Sequence, residues 1–124
     1  SQLKRVIRTN YSNPPTHGAT VVAAVLNSPE LRAMWEQELG EMRDRIRLMR
    51  TSLVEKLAAA GVQQDFSFVV RQRGMFSYSG LNADQVERLK NEFGIYAVSS
   101  GRICVAALNS RNIDAVTTAI AAVL

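Results

Sequence analysis

The sequence has no second cysteine: Cys104 stands alone among 124 residues. No internal disulfide can form, so stability must come from a packed core, and the reducing cytosol is the default compartment. Histidine is equally scarce. His17 is the single one, it sits between Pro15 and Gly18 in an expected loop, and a surface role is its bland reading. No two His, Cys, Asp or Glu residues stand at metal-ligand spacing, which argues against a metal centre. No run of about 18 apolar residues occurs, so no segment is suited to span a membrane. The first residues, Ser1 to Arg5, lack the apolar stretch of a signal peptide. An initiator Met is missing too, and the chain opens in helical sequence, so the expectation is a piece of a longer protein. Internal repeats and low-complexity tracts are absent.

What is present is ordinary for one globular domain. Apolar residues make up 47% and charged residues 21%, the balance of a chain that buries a core. The net charge of +4 raises a nucleic-acid reading, because basic domains hold phosphate through Lys and Arg. The arginines at 43–50 and 71–73, however, are interspersed with carboxylates such as Glu38, Glu41 and Asp44. On a helix that arrangement predicts exposed i,i+4 pairs in preference to a phosphate track.

Periodicity divides the chain. Leu3, Val6 and Ile7 predict a short helix, which Asn10-Tyr-Ser-Asn-Pro-Pro15 ends because each proline restricts the residue before it. Residues 18–26 form an apolar run of small side chains suited to a closely packed helix. Ser28-Pro29 then reads as an N-cap followed by a first-turn proline. Trp35, Leu39, Met42, Ile46, Met49, Leu53 and Leu57 lay one apolar seam along a long helix that ends near Gly61. After Gly61 the period changes. Phe66–Val70 and Met75–Tyr78 read as a hairpin or closely paired strands, and Ile95–Val98 and Arg102–Ala107 as two more around a Ser99-Ser100-Gly101 turn. Between them, Asn82 and Gln85 form a capping-box signature for a helix to Phe93, stopped by Gly94. Asn109 or Ser110 is the expected cap of a last helix with Ile113, Val116, Ile120 and Val123 on one face. The fold class is therefore α+β, a small mixed sheet covered by helices, with a long connecting helix.

Residue types alone offer little catalytic equipment. Cys104 lies in an apolar strand, where cysteine behaves as a small buried hydrophobe. Ser1 and Lys4 match a Ser-x-x-Lys pattern by letters, with no partner motif. Arg102 is more informative: a flexible Ser-Ser-Gly turn hands it to the mouth of a buried strand, a setting that can hold a guanidinium for bidentate carboxylate recognition. An exposed strand-end arginine is the bland alternative.

Three stretches carry a resemblance: Tyr11-Ser-Asn-Pro-Pro15 with His17-Gly18, Arg73-Gly-Met-Phe-Ser-Tyr78, and Ser100-Gly-Arg-Ile-Cys-Val105. Their order and spacing resemble landmarks of the class I aminotransferases, in the aspartate/aromatic branch, across essentially the whole chain. The resemblance implies a fold-type-I pyridoxal-phosphate enzyme, a cytoplasmic homodimer with active sites at the subunit interface. Such an enzyme moves an amino group between an amino acid and a 2-oxo acid such as 2-oxoglutarate. It implies that Arg102 binds the substrate α-carboxylate and that Phe76 lines the pocket. It further implies that Arg8 reaches the neighbouring subunit's site to hold a side-chain carboxylate, with Ser12 and Asn13 near the same edge. In this family the cofactor's lysine also serves as the general base. Lys4, Lys56 and Lys90 match its context nowhere, so no catalytic or cofactor-binding residue is expected here, and the chain alone is expected to be inactive. On the same resemblance, residues 1–28 are the C-terminal edge of the large cofactor domain, 29–60 the connecting helix and 61–124 the small C-terminal domain. Substrate preference stays open, because Arg102-Ile-Cys-Val-Ala106 with Leu108-Asn109 leans aromatic while Asn13 leans aspartate. A stand-alone interaction domain pairing through its long helix, and a basic nucleic-acid module, are the rival readings.

Overall fold

The computed structural model of the chain describes residues 1–12 and 15–124. Its backbone divides into two compact units, residues 1–40 and 41–124, with the long helix running across the boundary.

The first unit holds α1 (Gln2–Asn10), α2 (Thr16–Asn27) and the start of α3 (Pro29–Ala59). Ser28 Oγ accepts the Leu31 N–H at 3.3 Å, the expected cap of α3. His17 falls inside α2 and not in a loop, and it is exposed as expected. Neither α1 nor α2 contains a buried residue. Leu3 is 75% exposed and Val22 57%, so the apolar spacing is real but nothing within this unit covers it.

The second unit contains the core. The seam of α3 is continuous in sequence, yet only its C-terminal end is enclosed. Met49, Leu53 and Leu57 are buried, whereas Trp35, Leu39 and Met42 are exposed. Leu53 and Leu57 pack with Phe66, Val69, Leu81, Leu89, Val105, Leu108, Ile113, Ile120 and Val123. The helix ends where expected, with Gly61 at φ +82°.

Between Gly61 and Tyr78 the structure departs from the expected hairpin. Phe66–Val70 is not a strand: Phe68–Arg71 forms the short helix α4. The reason is local. Asp65 accepts the Ser67 N–H at 2.8 Å and the Ser67 hydroxyl at 2.9 Å, turning the chain before the β-branched pair. Those two bonds hold the Asp65 carboxyl below its ordinary range, the backbone bond contributing most. β1 (Phe76–Tyr78) instead pairs antiparallel with β2 (Arg102–Cys104). The α+β class stands, with a two-stranded antiparallel sheet where a mixed one was expected. Ile95–Val98, expected as a strand, forms none among the described residues. The chain after β2 tightens into a 3-10 turn at Val105–Ala107, so the expected strand to Ala107 stops at Cys104.

Two helices close this unit. α5 (Ala83–Phe93) begins with the expected reciprocal capping box between Asn82 and Gln85 and ends at Gly94, φ +66°. α6 (Ile113–Val123) starts at Asn112, later than expected, because Asn109 is occupied by a turn in which its side chain accepts the Arg111 N–H. Arg88 of α5 donates to the Ala122 and Val123 carbonyls at 3.2 and 3.4 Å, satisfying the C-terminus of α6. Lys56 of α3 pairs with Asp114 at its N-terminus, 2.6 Å away. No helix among the described residues is long and apolar enough to cross a membrane.

Gly101 sets where β2 begins. It lies at φ +81°, and a Cβ there would stand 2.5 Å from the Leu81 carbonyl oxygen. Its own carbonyl accepts both the Ser79 N–H at 2.9 Å and the Ser79 hydroxyl at 2.7 Å. Gly101→Ala therefore faces both backbone strain and a backbone collision. A loss on the order of 2–4 kcal/mol is expected in urea unfolding. The uncovered first unit gives a second expectation: sedimentation should show the isolated chain self-associating, or hydrogen exchange should find residues 1–30 unprotected. A monomer protected from residue 1 onward contradicts it.

Candidate functional site

Strand pairing brings Phe76 and Arg102 together. The register places Phe76 opposite Cys104 and Tyr78 opposite Arg102. Phe76 and Arg102 are thus diagonal neighbours on one face, a spacing that long side chains bridge. Ser77 and Ile103 take the opposite face, where Ser77 is 2% exposed and Ile103 packs against the core. The Arg102 guanidinium carbon lies 4.9 Å from the centre of the Phe76 ring, a cation–π contact. Beside it is a depression of about 310 Å³, lined by Phe76, Tyr96, Ala97, Val98, Arg102, Ile103 and Cys104. Its walls are mainly apolar, and Arg102 supplies the charge. Cys104 is half-buried in this wall and not enclosed in the core as expected. Arg102 forms no side-chain hydrogen bond or ion pair among the described residues, so its planar donors remain available.

The strands are held from behind by α3. Arg50 is 3% exposed and faces no carboxylate; its partners are backbone and hydroxyl oxygens. Nη1 donates to the Val69 carbonyl at 3.0 Å and to Ser77 Oγ at 2.6 Å. Nη2 donates to the carbonyls of Gly74 at 2.7 Å and Phe76 at 3.0 Å. Burial, then the nearby positive charge of Arg73, lowers the guanidinium pKa from its ordinary value. An arginine still keeps its proton at any physiological pH. Ser77 passes the network on: its hydroxyl donates to Gln72 Oε1 at 2.7 Å, and that oxygen also accepts the Tyr78 N–H at 2.8 Å. Arg45, slightly more than one turn earlier on α3, donates to the carbonyls of Ala106 and Leu108 at 2.9 and 2.8 Å. These two arginines were expected in exposed ion pairs, and the structure corrects that reading. They clamp the backbone on either side of the β1–β2 pair. The sequence did hold a signal for Arg50, because it falls on the apolar seam, four residues after Ile46 and three before Leu53.

The other expected site residues lie in the first unit. Arg8 is exposed in the last turn of α1 and has no side-chain hydrogen bond or ion pair among the described residues. Ser12 follows at φ +55°, the one non-glycine left-handed position described, and its N–H reaches the Ile7 carbonyl at 3.2 Å. Asn13 lies outside the described residues. No lysine borders the depression: Lys56 is paired with Asp114, Lys90 stands near Glu87, and Lys4 is on α1. Among the described residues no three His, Cys, Asp or Glu side chains gather as metal ligands.

Residues 1–120 match the family model described as aminotransferase class I and II. An aspartate aminotransferase of Pseudomonas aeruginosa is 78% identical over all 124 residues. An aromatic-amino-acid aminotransferase of Escherichia coli is 53% identical over 123 residues. Among solved structures, an aromatic-amino-acid aminotransferase from Burkholderia pseudomallei, covalently bound to pyridoxal phosphate, superposes with a TM-score of 0.95 at 76% identity. That superposition covers 99% of this chain. The chain spans 31% of the length of each of these relatives.

The clamp geometry predicts unequal costs. Arg50→Met leaves three carbonyls without this donor and should lower unfolding free energy by about 2–4 kcal/mol. Arg45→Met, at a wetter site, should cost about 0.5–1.5 kcal/mol. Urea titration of the two variants checks the order, and equal losses contradict it.

Proposed function

The chain belongs to the class I and II aminotransferases, and from that premise we propose that it is the C-terminal, carboxylate-binding part of an aspartate/aromatic-type transaminase. The observation that carries the proposal is Arg102, set over Phe76 at the edge of an apolar depression, with no carboxylate among the described residues to occupy it. A guanidinium fork matches a carboxylate in two parallel charge-assisted bonds. The aromatic ring beneath, 4.9 Å from the guanidinium carbon, helps to hold that fork in place, and the apolar wall strengthens the pairing by reducing local water. The role read for Arg102 is the α-carboxylate of the amino acid or 2-oxo acid, and for Phe76 the wall of the pocket.

Arg8 takes the second carboxylate of dicarboxylic substrates, in the site of the neighbouring subunit of a homodimer; Ser12 and Asn13 belong to the same edge. Its exposed place, and donors that are unengaged among the described residues, support that reading. The domain reading goes with it: residues 1–28 at the edge of the large cofactor domain, 29–60 connecting, and 61–124 forming the small domain. The cytoplasm is the proposed compartment. Pyridoxal phosphate is the proposed cofactor of the whole enzyme and supplies the electron sink for the reaction. The residues present do not fit its attachment, since none of the three lysines borders the depression. No chemical step is assigned to this chain beyond binding and orienting carboxylates.

Substrate preference stays at the level of aspartate and aromatic amino acids together. The relatives carry both names, and an aromatic aminotransferase of Psychrobacter, 48% identical with a TM-score of 0.92, was cocrystallised with aspartic acid.

The two arginines should separate kinetically in the complete enzyme. Arg102→Lys keeps the charge but loses the fork. It should lower kcat/KM by roughly 10²–10⁴-fold for aspartate and phenylalanine alike, because both carry the α-carboxylate. Arg8→Lys should injure aspartate most and spare phenylalanine. If Arg102→Lys harms only aspartate, or Arg8→Lys harms both equally, the roles are wrongly assigned.

A further inference from the structure

Phe76 is 46% exposed within this chain, so packing around its ring fixes it only in part. Its backbone carries the rest of the constraint, and that backbone is held by Arg50. The Phe76 carbonyl accepts from Nη2 at 3.0 Å, the Gly74 carbonyl two residues earlier accepts from the same nitrogen at 2.7 Å, and the next side chain, Ser77, accepts from Nη1 at 2.6 Å. Three contacts bracket one residue from the closed face of the strand pair, while the ring stands on the open face under Arg102. Two parallel N–H donors on one rigid plane set orientation as well as distance.

We infer that Arg50 is a positioning residue for substrate: it aims the Phe76 ring, and through that ring it sets the plane of the Arg102 guanidinium. This rests on the reading of Arg102 as the carboxylate-binding group. Arg50 itself reaches no ligand, since it is buried behind the strands. On this inference its influence on carboxylate affinity passes through the Phe76 ring and not through the β1–β2 pairing alone, and that distinction separates positioning from bulk stability.

The test is a double-mutant cycle in the complete, cofactor-loaded enzyme, with succinate as the probe and its affinity read by calorimetry. Arg50→Met should weaken succinate by about 10- to 100-fold, since small misplacements of a binding group are that costly. In a Phe76→Leu background the same change should add less than about 3-fold. Arg50→Lys, which retains part of the donor set, should fall between wild type and Arg50→Met. An equal loss in both backgrounds, or no loss in either, overturns the inference. If Arg50→Met does not fold, Arg50→Lys and Ser77→Ala enter the same cycle and are judged by the same coupling to Phe76. Arg102→Met is the control on the underlying reading. If it leaves succinate affinity intact, that reading and this inference both fall. If it abolishes binding while the Arg50 variants bind normally, only this inference falls.

Discussion

A buried guanidinium with no carboxylate beside it is the constraint on which the rest of the second unit depends. Moving such a charge out of water is costly, and the cost is offset only when its donors meet acceptors of good geometry. Arg50 meets that condition with four oxygens drawn from Val69, Gly74, Phe76 and Ser77. Each of those oxygens is tied to the same group, so the segment from α4 through β1 cannot shift without leaving a buried charge unsatisfied. Interactions of this kind specify one arrangement more than they add net stability. Here the arrangement specified is the bearing of the strand that carries Phe76.

Arg45 extends the same logic along the helix. It holds the carbonyls of Ala106 and Leu108 just beyond β2, where the 3-10 turn leaves them without strand partners. A two-stranded sheet is marginal by itself, and this one has only three residues on each side. Helix α3 therefore does two jobs with one face: Leu53 and Leu57 bury apolar surface, and Arg45 and Arg50 pin the strands. The Ser79–Gly101–Leu81 contacts fix the remaining end, because only a glycine can approach the Leu81 carbonyl so closely.

What was legible in the sequence was whatever rests on local chemistry. The Asn82–Gln85 box, the stop at Gly94, the cap at Ser28 and the turn before Arg102 each involve residues a few positions apart, and each was found where the letters placed it. Arg102 and Phe76 were picked out separately, through resemblance to short motifs, and the strand register brings them together. Long-range pairing was harder to read. β1 pairs with β2 and not with its nearer neighbour, because Asp65 turns the chain at Ser67 and Phe68–Arg71 is helical. Arg50 was misread because charge along a helix predicts solvent far more often than it predicts a buried clamp. Its place on the apolar seam was the discordant sign, but its acceptors come from residues up to 27 positions away, and no local pattern shows that they converge on it.

The two arginines proposed for substrate are held by different means, and the difference has a physical consequence. Arg102 sits on a strand whose position is set inside this chain by buried contacts and clamped carbonyls. Arg8 sits on a nine-residue helix with no buried residue. A helix that short is marginal in water unless packing holds it, and its apolar residues Leu3, Val6 and Ile7 are exposed within this chain. Nothing in the described residues of its own unit covers that face, and the relatives are about three times as long as this chain. On the proposed roles, recognition of the common carboxylate would be built on the chain's own core, whereas recognition of a second carboxylate would depend on assembly. On this reading a defect in assembly would erode selectivity for dicarboxylic substrates before it erodes the grip on the α-carboxylate.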